Sequence, residues 1–476
     1  MKEKKLYSVD DCDNLSNNEI RDLYKKHVNP AIEQLFNSFD LGHEVIEYSE
    51  GVWIYTKNNE KILDVTGGIG VLTHGHNHPR ILKTRINFQN KKKMEVNKTI
   101  FSPYTAALSH NLSQLLPETL DYSFFCNSGA EAVEGALKLA YKYFQGTRDF
   151  ILHSDIAFHG KLLGSGTITA SKEVDFKFPS ISNTSKFEYN NINSVIEQIE
   201  NHRKSDGTSN VYAIIIEPFS ASYLRSCDDK FLKKLKSLCV ENGILLIFDE
   251  IYTGWYKTGS RFNFLDSEVV PDILTTSKSL GGGKASISAY ISTGDVLKKA
   301  YGDMKSATLH TTTYNGFGEE CATAIEAINI MEEENYHEKS LNIEKITKNR
   351  CQQLSKIFNK QIIECRGQGS LHGIYFKTDS GFGKILSLIP LSMTKDKKFI
   401  SKIISASISN WLFKNYKILV LFSTTENSGI LFAPSLIINE KEINYFFDSL
   451  EETLEHGIWK IVSKFASKQF SSGIRD

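Results

Sequence analysis

Two residues of opposite charge, Asp249 and Lys278, each follow an apolar run of the sequence. Asp249 ends the run 243–248, and Lys278 comes after the stretch 272–275 and shortly before the glycines 281–283. A carboxylate at the end of a buried strand is costly unless a cation meets it. Alone, the aspartate could pair with another base and the lysine could lie on the surface. Together they suit pyridoxal phosphate (PLP), because an amine forms the Schiff base and a carboxylate keeps the pyridine nitrogen protonated.

The elements that would bring this pair together alternate between strand and helix from about residue 99 to 330. This alternation is typical of parallel sheets covered by helices, so we predict an α/β fold with a mostly parallel sheet. We also predict helical structure over residues 15–38. The segments that follow the sheet pattern are the strands 122–126, 150–152, 212–216 and the one ending at 249, with helices at 131–144 and 231–241.

The segment Asn127-Ser128-Gly129-Ala130-Glu131 lies between a predicted strand and a predicted helix. Backbone N–H groups at a helix start point outward and, with the helix dipole, favour an anion such as a phosphate. The hydroxyl of Ser128 and the close backbone approach allowed by Gly129 suit that guest. The alternative is an ordinary capping box, with Ser128 at the N-cap and Glu131 returning the hydrogen bond.

Three further segments place reactive or aromatic side chains near predicted strand ends. Phe158 and His159 follow a strand, and the phenylalanine could stack on an aromatic cofactor or belong to the core. Glu217 ends a second buried strand, so it could face the same pocket as Asp249 or form a structural cap. The hydroxyls of residues 311–313 could bind phosphate oxygens or lie along a sheet edge.

The composition argues against several other classes of protein. The chain of 476 residues has 56 Lys and Arg against 56 Asp and Glu, and this balance speaks against a nucleic-acid partner. The seven cysteines are scattered without metal-ligand spacing, which predicts free thiols and no metal site. No secretory signal follows Met1, and the apolar runs are too short to span a bilayer. We therefore predict a cytoplasmic protein with no integral membrane segment.

In this order and combination, the segments resemble the class-III (ω-amino-acid type) aminotransferases, which are PLP enzymes. The resemblance covers roughly residues 45–455, and the segments 122–129, 157–161 and 310–313 are most similar to putrescine aminotransferases. The matching segments are Asp64 to Pro79, Tyr122 to Glu131, Ala157 to Lys161, Glu217-Pro218, Phe248 to Glu250, Thr253-Gly254, Pro271 to Ile273, Ser277 to Gly283, His310 to Thr313, Arg366-Gly367 and Phe432 to Pro434.

The resemblance implies an architecture and a role for each matching position. The architecture is PLP fold type I, the aspartate-aminotransferase-like fold, with a large domain at 99–345 and a smaller α+β domain formed by 1–98 and 346–476. Lys278 would bind PLP as a Schiff base and shuttle the proton, Asp249 would bind the pyridinium nitrogen, and Glu217 would lie near the ring hydroxyl. The other implied PLP contacts are Ser128, Gly129 and Ala130 at the phosphate, Phe158 and Ile251 on the two ring faces, His159, and Thr313 of a partner subunit. Thr313 thereby implies a homodimer.

The sequence departs from the family on the substrate side. Many relatives carry an arginine two residues before Ala433, where it grips the carboxylate of a 2-oxo acid, but this chain has Leu431. An arginine fork is hard to replace, although Arg225 is a candidate. Lys257 stands where the family's Gly-Phe-Gly-Arg-Thr-Gly stretch has arginine. Residues 381–415 form a longer segment than usual, which could line a pocket, contact a carrier or a membrane, or belong to the core of the small domain.

These observations predict a PLP-dependent aminotransferase that moves an amino group between a small-molecule terminal amine, such as a diamine or an ω-amino acid, and a carbonyl acceptor. The alternative within enzymes is an aminomutase or a decarboxylase on the same fold. A non-enzymatic subunit kept for binding or assembly should have lost Lys278 or Asp249, and both are present. Because of Leu431, we expect 2-oxoglutarate to be a poor acceptor compared with uncharged aldehydes or ketones.

Overall fold

The computed structural model describes residues 6–38, 43–96, 98–170, 178–181, 183–378, 397–422 and 429–471. Its α-helices are, in chain order, α1 (Val9–Asp13), α2 (Asn17–Leu23), α3 (Pro30–Ser38), α4 (Gly67–Gly70), α5 (Pro79–Asn90), α6 (Pro103–Leu115), α7 (Gly129–Tyr143), α8 (Leu163–Thr167), α9 (Ile192–Asn201), α10 (Asp229–Asn242), α11 (Gly294–Tyr301), α12 (Gly318–Glu333), α13 (Tyr336–Ile357), α14 (Lys397–Tyr416), α15 (Glu440–Glu455) and α16 (Ile458–Ser471).

The strands and the remaining helical turns complete the described elements. The strands are β1 (Ile46–Glu50), β2 (Trp53–Thr56), β3 (Lys61–Asp64), β4 (Leu120–Cys126), β5 (Phe150–Ser154), β6 (Thr184–Phe187), β7 (Val211–Ile216), β8 (Phe219–Ser220), β9 (Arg225–Ser226), β10 (Leu245–Asp249), β11 (Ile273–Thr276), β12 (Ser288–Thr293), β13 (Ile362–Gln368), β14 (Leu371–Phe376), β15 (Ile418–Leu419), β16 (Leu421–Phe422) and β17 (Gly429–Phe432). A π-helical turn spans Tyr24–Val28, and 3-10 turns span Asn263–Asp266 and Lys278–Gly281.

The largest sheet has seven strands in the order β4-β12-β11-β10-β7-β5-β6. Strands β11, β10, β7, β5 and β6 pair in parallel, while β12 runs antiparallel to both β11 and β4. The mostly parallel sheet predicted from the sequence is therefore confirmed. Alternate residues of β7 enter two separate cores, Ile214 and Ile216 in one and Ala213 and Ile215 in the other. Both faces of the sheet are thus covered, which explains the continuous apolar runs.

The strand that ends at Asp249 is set up by a left-handed turn. Helix α10 ends at Gly243, whose φ of 58° lies in the region that favours glycine. The N–H of Ile244 then donates to the carbonyl of Cys239 at 2.8 Å, and β10 begins at the next residue. All five residues of β10 are buried, so the turn directs an apolar strand through the sheet and leaves a carboxylate at its end.

Two smaller sheets have four strands each, in the orders β1-β2-β3-β15 and β13-β14-β17-β16. In the first sheet β3 pairs in parallel with β15, Leu63 opposite Ile418. The N-terminal and C-terminal parts of the chain therefore meet in one sheet, as a small domain built from both ends requires. The domain limits at residues 98 and 345 stay a prediction.

The helical structure predicted over residues 15–38 is confirmed for most of the stretch, but it is divided into separate helical segments. Helix α2 ends at Leu23, the π-helical turn follows, and α3 begins at Pro30. Asn29 is extended, with φ −164° and ψ 117°, because the residue before a proline is pushed out of the helical region. The apolar periodicity did not reveal the break, but Pro30 was a signal for it.

The longer segment at 381–415 is structural where it can be described. Ile404, Ile408 and Leu412 of α14 are buried in the main core, which agrees with the core alternative for this part. Residues 381–396, including the apolar run 385–393, lie outside the described residues. No helix within the described ranges is long and apolar enough to cross a membrane.

Candidate active site

Neighbouring strands of the large sheet end at one edge, and the candidate residues stand at these ends. Glu217 follows β7, Asp249 is the last residue of β10, and Lys278 comes just after β11. Asp249 of β10 lies opposite Thr275 of β11 in the parallel register. Because parallel strands share the direction of their carboxyl ends, residues far apart in the sequence meet there.

Asp249 is a buried carboxylate held by three contacts. His159 places Nδ1 at 2.7 Å from one carboxylate oxygen. The backbone N–H of Ile251 and the hydroxyl of Thr275 donate to the other oxygen at 3.0 and 3.1 Å. Since a carboxylate only accepts, Nδ1 of His159 carries the proton in this contact. The carboxylate is thus fixed in place and suited to face a proton-bearing nitrogen.

His159 lies directly against Asp249. It is 2% exposed, and its backbone N–H donates to the hydroxyl of Thr169 at 2.9 Å. Its Nε2 is buried without a hydrogen-bond partner among the described residues. His159 therefore orients Asp249, while its predicted contact with PLP stays a prediction.

Lys278 stands at the same sheet edge in a left-handed backbone position. Its φ is 47°, which costs a residue with a side chain about 1–2 kcal/mol. Its Nζ donates to the carbonyl of Ile69 at 3.2 Å and lies 4.7 Å from the ring centroid of Tyr252. Burial lowers the pKa of Lys278, and the carboxylates of Asp249 and Glu217 oppose this shift. The amine is therefore close enough to interact electrostatically with both carboxylates.

Glu217 is the third ionisable group at this edge. Burial raises its pKa well above 4.5, and the nearby carboxylate of Asp249 raises it further. Its Oε2 accepts a hydrogen bond from the backbone N–H of Phe158 at 3.3 Å. A glutamic acid that keeps its proton to a higher pH than usual can donate a hydrogen bond as well as accept one.

Helix α7 begins at the same edge, with both bonds of the capping box present. The hydroxyl of Ser128 accepts from the N–H of Glu131 at 3.4 Å, and Glu131 accepts from the N–H of Ser128 at 3.2 Å. Within the described part of the chain, no hydrogen bond is seen from the N–H groups of Gly129 and Ala130, as expected for the first turn of a helix. A Cβ on Gly129 would lie 2.9 Å from the side chain of Ile251. The capping box and an anion site are therefore compatible here.

Phe158 and Ile251, the residues predicted for the two ring faces, lie near this edge of the sheet. Phe158 is 36% exposed, and Ile251 packs against Gly129. The backbone of Gly160, with φ 128°, approaches α7 so closely that a Cβ there would lie 2.8 Å from Cβ of Ala130. The loop after β5 and the start of α7 thus form two adjoining walls.

Thr313 is the predicted residue that the structure does not join to this group. It is exposed, and none of the described contacts links it with Lys278 or Asp249. Its segment is attached elsewhere, since the amine of Lys98 contacts the carbonyl of Thr312. Its action in the site of a partner subunit stays a prediction.

Three contributors to the site were missed by the sequence reasoning: Thr275, Tyr252 and the turn at residues 66–70. Thr275 reaches Asp249 through the strand register, which the sequence does not state. In the turn, Gly68 and Ile69 both have φ of 59°, which presents the carbonyl of Ile69 to Lys278. The glycines at 67, 68 and 70 were a signal for the turn, but they did not indicate that the turn contacts Lys278.

The wall next to Lys278 on the small-sheet side is apolar. Leu431 lies on β17 opposite Gly373 of β14. Leu431 packs against a small cluster of buried side chains, and so does Tyr252, whose ring lies near the amine of Lys278. The buried members of this cluster are Phe219, Leu224, Leu371 and Ala433.

Arg225, the candidate replacement for the missing arginine, is exposed on β9. Its charge lowers the otherwise raised pKa of Tyr375, as does the charge of Arg366. Arg366 is engaged with Glu364 at 2.5 Å, whereas none of the described ion pairs includes Arg225. Arg225 is therefore more available than Arg366 to bind an anion.

Comparisons with known proteins agree with this architecture. The family model described as aminotransferase class-III matches residues 40–454. The ornithine aminotransferase from Toxoplasma gondii aligns with a TM-score of 0.75 at 20% identity, over 95% of this chain and 96% of that one. A transaminase from the marine bacterium Virgibacillus aligns with a TM-score of 0.76 at 19% identity, over 94% of this chain and 99% of that one. A PMP-bound aminotransferase from Vibrio fluvialis aligns with a TM-score of 0.77 at 19% identity, over 96% of this chain and 100% of that one. The predicted PLP fold type I is thereby confirmed.

Proposed function

The chain belongs to the class-III aminotransferase family, and we propose that its amino donor is a terminal amine, such as a diamine or an ω-amino acid. A carbonyl compound is the acceptor. The convergence of Lys278, Asp249 and Glu217 at one sheet edge carries the proposal. The similarity of residues 122–129 and 157–161 to putrescine aminotransferases supports the choice of donor. The ornithine and omega transaminases among the structural relatives support it further.

As a member of this family the protein is a PLP-dependent transaminase, and its residues fit that cofactor. A buried carboxylate, an amine and a helix start meet at one sheet edge, where the backbones at Gly129 and Gly160 approach their neighbours more closely than a residue with a Cβ would allow. When bound, PLP supplies an aldehyde that condenses with amines and a ring that withdraws electrons. Ser128, Gly129 and Ala130 would hold its phosphate, because a helix start favours an anion.

The remaining site residues would bind the cofactor or hold and move protons. Lys278 would hold the cofactor and then, as a free amine, carry a proton to and from the substrate carbon. Asp249, oriented by His159, would keep the proton on the ring nitrogen. Glu217, with its raised pKa, would hydrogen-bond the ring hydroxyl. Phe158 and Ile251 would exclude water from the two ring faces.

The acceptor is proposed to be an uncharged aldehyde or ketone rather than 2-oxoglutarate. Tyr252 lies beside Lys278, and Leu431 packs against the same apolar cluster as Tyr252. A carboxylate buried against such a wall would lack a partner, which is costly. Apolar substrate surface would instead be favoured by about 25 cal/mol per Å² buried.

We also propose a homodimer in which Thr313 completes the site of the partner subunit. The stretch of chain that contains Thr313 exposes three large apolar side chains, Leu309 at 54%, Tyr314 at 60% and Met304 at 98% exposure. Exposed apolar side chains grouped in this way are typical of protein interfaces. A cytoplasmic location is proposed because the seven cysteines are all free, which suits a reducing compartment.

Net amino transfer to a separate acceptor tests this proposal. The purified protein with PLP is incubated with diamines or ω-amino acids and with aldehydes or 2-oxo acids, and both products are measured by mass spectrometry. We expect the new carbonyl compound and the new amine in equal amounts. An isomerised amine formed without an acceptor would indicate an aminomutase, and release of CO₂ would indicate a decarboxylase. The variant Lys278→Ala serves as the inactive control.

A further inference from the structure

Cys351 and Cys365 are two free thiols that lie side by side in the C-terminal part of the chain. Cys351 lies on α13 and is buried, whereas Cys365 lies on β13 and is half-buried. The thiol of Cys365 donates to the carbonyl of Cys351 at 3.9 Å, and its sulfur lies 3.6 Å from the hydroxyl of Ser355. The two thiols also hydrogen-bond with each other. They are therefore neighbours in space, although 14 positions separate them in the sequence.

The hydrogen bond between the two thiols makes them chemically different. The hydrogen bond from Cys351 lowers the pKa of Cys365, and the hydroxyl of Ser355 lowers it further, against the opposing effect of burial. The same contact raises the pKa of Cys351, and burial acts in the same direction. Because the thiolate is the nucleophile in disulfide exchange, Cys365 is the sulfur suited to react first.

Both thiols line one cavity between α13 and β13. Its volume is about 420 Å³, which is within the range of small-molecule sites. Its lining includes Lys348, Lys356 and Arg366, and none of its described lining residues is acidic. Lys348 pairs with Glu344 and Arg366 with Glu364, each at 2.5 Å. Lys356 is exposed and belongs to none of the described ion pairs. A ligand that carries a carboxylate near its sulfur would therefore meet an available ammonium group here.

We propose that Cys351 and Cys365 form a thiol–disulfide exchange site for a low-molecular-weight disulfide that carries carboxylates. The thiolate of Cys365, its proton released to water, attacks one sulfur of that disulfide, and the other half leaves as a thiolate. Cys351 then loses its proton and attacks the sulfur of Cys365, which expels the second half. Each expelled thiolate takes up a proton. Two protein thiols are thus oxidised to one disulfide, and the small disulfide is reduced to two thiols.

This exchange site does not depend on the proposed aminotransferase reaction. None of the described contacts joins either cysteine to Lys278 or to Asp249. Strand β13 is the outer strand of its four-stranded sheet, and β14 separates it from β17. A bridge from Cys365 to α13 would therefore fix an edge of the small sheet and leave the residues proposed to bind PLP untouched.

Peptide mapping after exposure to glutathione disulfide tests the exchange, because each half of this probe carries carboxylates. The full-length protein is reduced, freed of reductant and incubated with the probe, and the remaining thiols are alkylated before mass spectrometry without reduction. In the wild type we expect a disulfide between Cys351 and Cys365. In Cys351→Ser we expect glutathione to stay on Cys365, and in Cys365→Ser we expect no modification of Cys351. Cys239→Ser changes another buried cysteine and is the matched control, which should give the wild-type map.

The charge of Lys356 tests the chemistry of the small disulfide. Lys356→Gln should slow the reaction of Cys365 with glutathione disulfide about 1.5-fold to 5-fold, the effect of one exposed charge pair. It should leave the reaction with the uncharged disulfide of mercaptoethanol unchanged. Lys360→Gln removes an exposed lysine that does not line the cavity, and it should change neither rate.

The exposed thiol of Cys12 should take up glutathione in every variant, which shows that the probe is active. Modification of Cys12 without a disulfide between Cys351 and Cys365 in the wild type would overturn the proposal, as would glutathione retained on Cys365. Any other response of the two rates to Lys356→Gln would reject a carboxylate-bearing partner. If a cysteine variant does not fold, the wild-type map and the lysine variants decide. Because no readout depends on turnover, failure of the proposed function and failure of this exchange are distinguishable.

Discussion

Among single residues, Lys278 is the one on which all proposed chemistry depends. Its amine sits beside Tyr252 and within reach of two carboxylates. We expect Lys278→Ala to abolish turnover while the fold is retained, because alanine can neither bind the aldehyde nor carry the proton. Borohydride reduction of the wild type with PLP, followed by mass spectrometry, should place the pyridoxyl group on Lys278. Lys284→Ala is the control, and labelling at any lysine other than Lys278 contradicts the assignment.

Asp249 is expected to matter through its charge more than through its hydrogen bonds. We predict that Asp249→Asn slows turnover about 10²–10³-fold, on the scale of losing a preorganised electrostatic group. Thr275→Val removes one donor at 3.1 Å without changing charge, so it should cost only about 0.5–1.5 kcal/mol. Both variants are compared in kcat and in affinity for PLP. Near-normal kcat in Asp249→Asn would show that the ring nitrogen does not depend on this carboxylate.

Glu217 gives a prediction about stability and pH. Its raised pKa means that, above the ordinary glutamate pKa of about 4.3, the folded protein holds a proton that the unfolded chain has lost. The stability that this difference in proton binding gives to the folded protein is fully present below the ordinary pKa, and it is lost as pH rises through the raised pKa. We therefore expect the free energy of unfolding of Glu217→Gln to rise relative to that of the wild type as pH increases.

Urea unfolding of both proteins between about pH 5 and pH 8 measures this difference. Glu241→Gln, which changes an exposed glutamate on α10, is the control and should show a constant difference. A difference for Glu217→Gln that did not grow with pH would mean that this carboxyl ionises normally in the folded protein.

At the scale of elements, β17 is the strand that we expect to determine which acceptors the site can use. Leu431 packs against the same apolar cluster as Tyr252, at the position where the family resemblance implies an arginine. We expect kcat/KM to be higher for a medium-chain aldehyde than for 2-oxoglutarate. In Leu431→Arg the value for 2-oxoglutarate should rise about 10-fold to 100-fold, the effect of a charge-assisted hydrogen bond of about 1.5–3 kcal/mol.

The hairpin of β8 and β9 provides the competing source of a carboxylate clamp, because it carries Arg225. Leu431→Met is the matched control, since it changes shape without adding charge. A clear preference of the wild type for 2-oxoglutarate, lost in Arg225→Ala, would reject the apolar acceptor and assign the clamp to this hairpin.

At the scale of the whole molecule, the exposed segment around Thr313 predicts active sites shared between two subunits. We expect mixtures of the inactive variants Lys278→Ala and Thr313→Ala to regain activity after subunit exchange. In such a heterodimer one site carries both defects and the other carries neither. Activity is measured before and after exchange, and mass spectrometry of the intact complex verifies that heterodimers formed. Verified heterodimers without regained activity would mean that each chain completes its own site.

Much of this molecule could be predicted from local patterns in the sequence. Apolar runs located the parallel strands, and their polar last residues located the sheet edge with Glu217 and Asp249. The box of Ser128 and Glu131 located the start of α7. These features are readable because burial and capping act on residues within a few positions of one another. The break at Pro30 was readable in the same way and was overlooked in favour of apolar periodicity.

The contacts that tune the site were decided by the tertiary structure alone. His159 contacts Asp249, the carbonyl of Ile69 accepts from Lys278, and Lys257 is buried with no hydrogen-bond partner among the residues that the structure describes. Each depends on strand register and on the crossing of segments far apart in the chain, which residue types and spacing do not encode. The sequence by itself determined which groups are present and which strand ends carry them. Packing decided which of those groups share one desolvated space, where burial and neighbouring charge shift their pKa values.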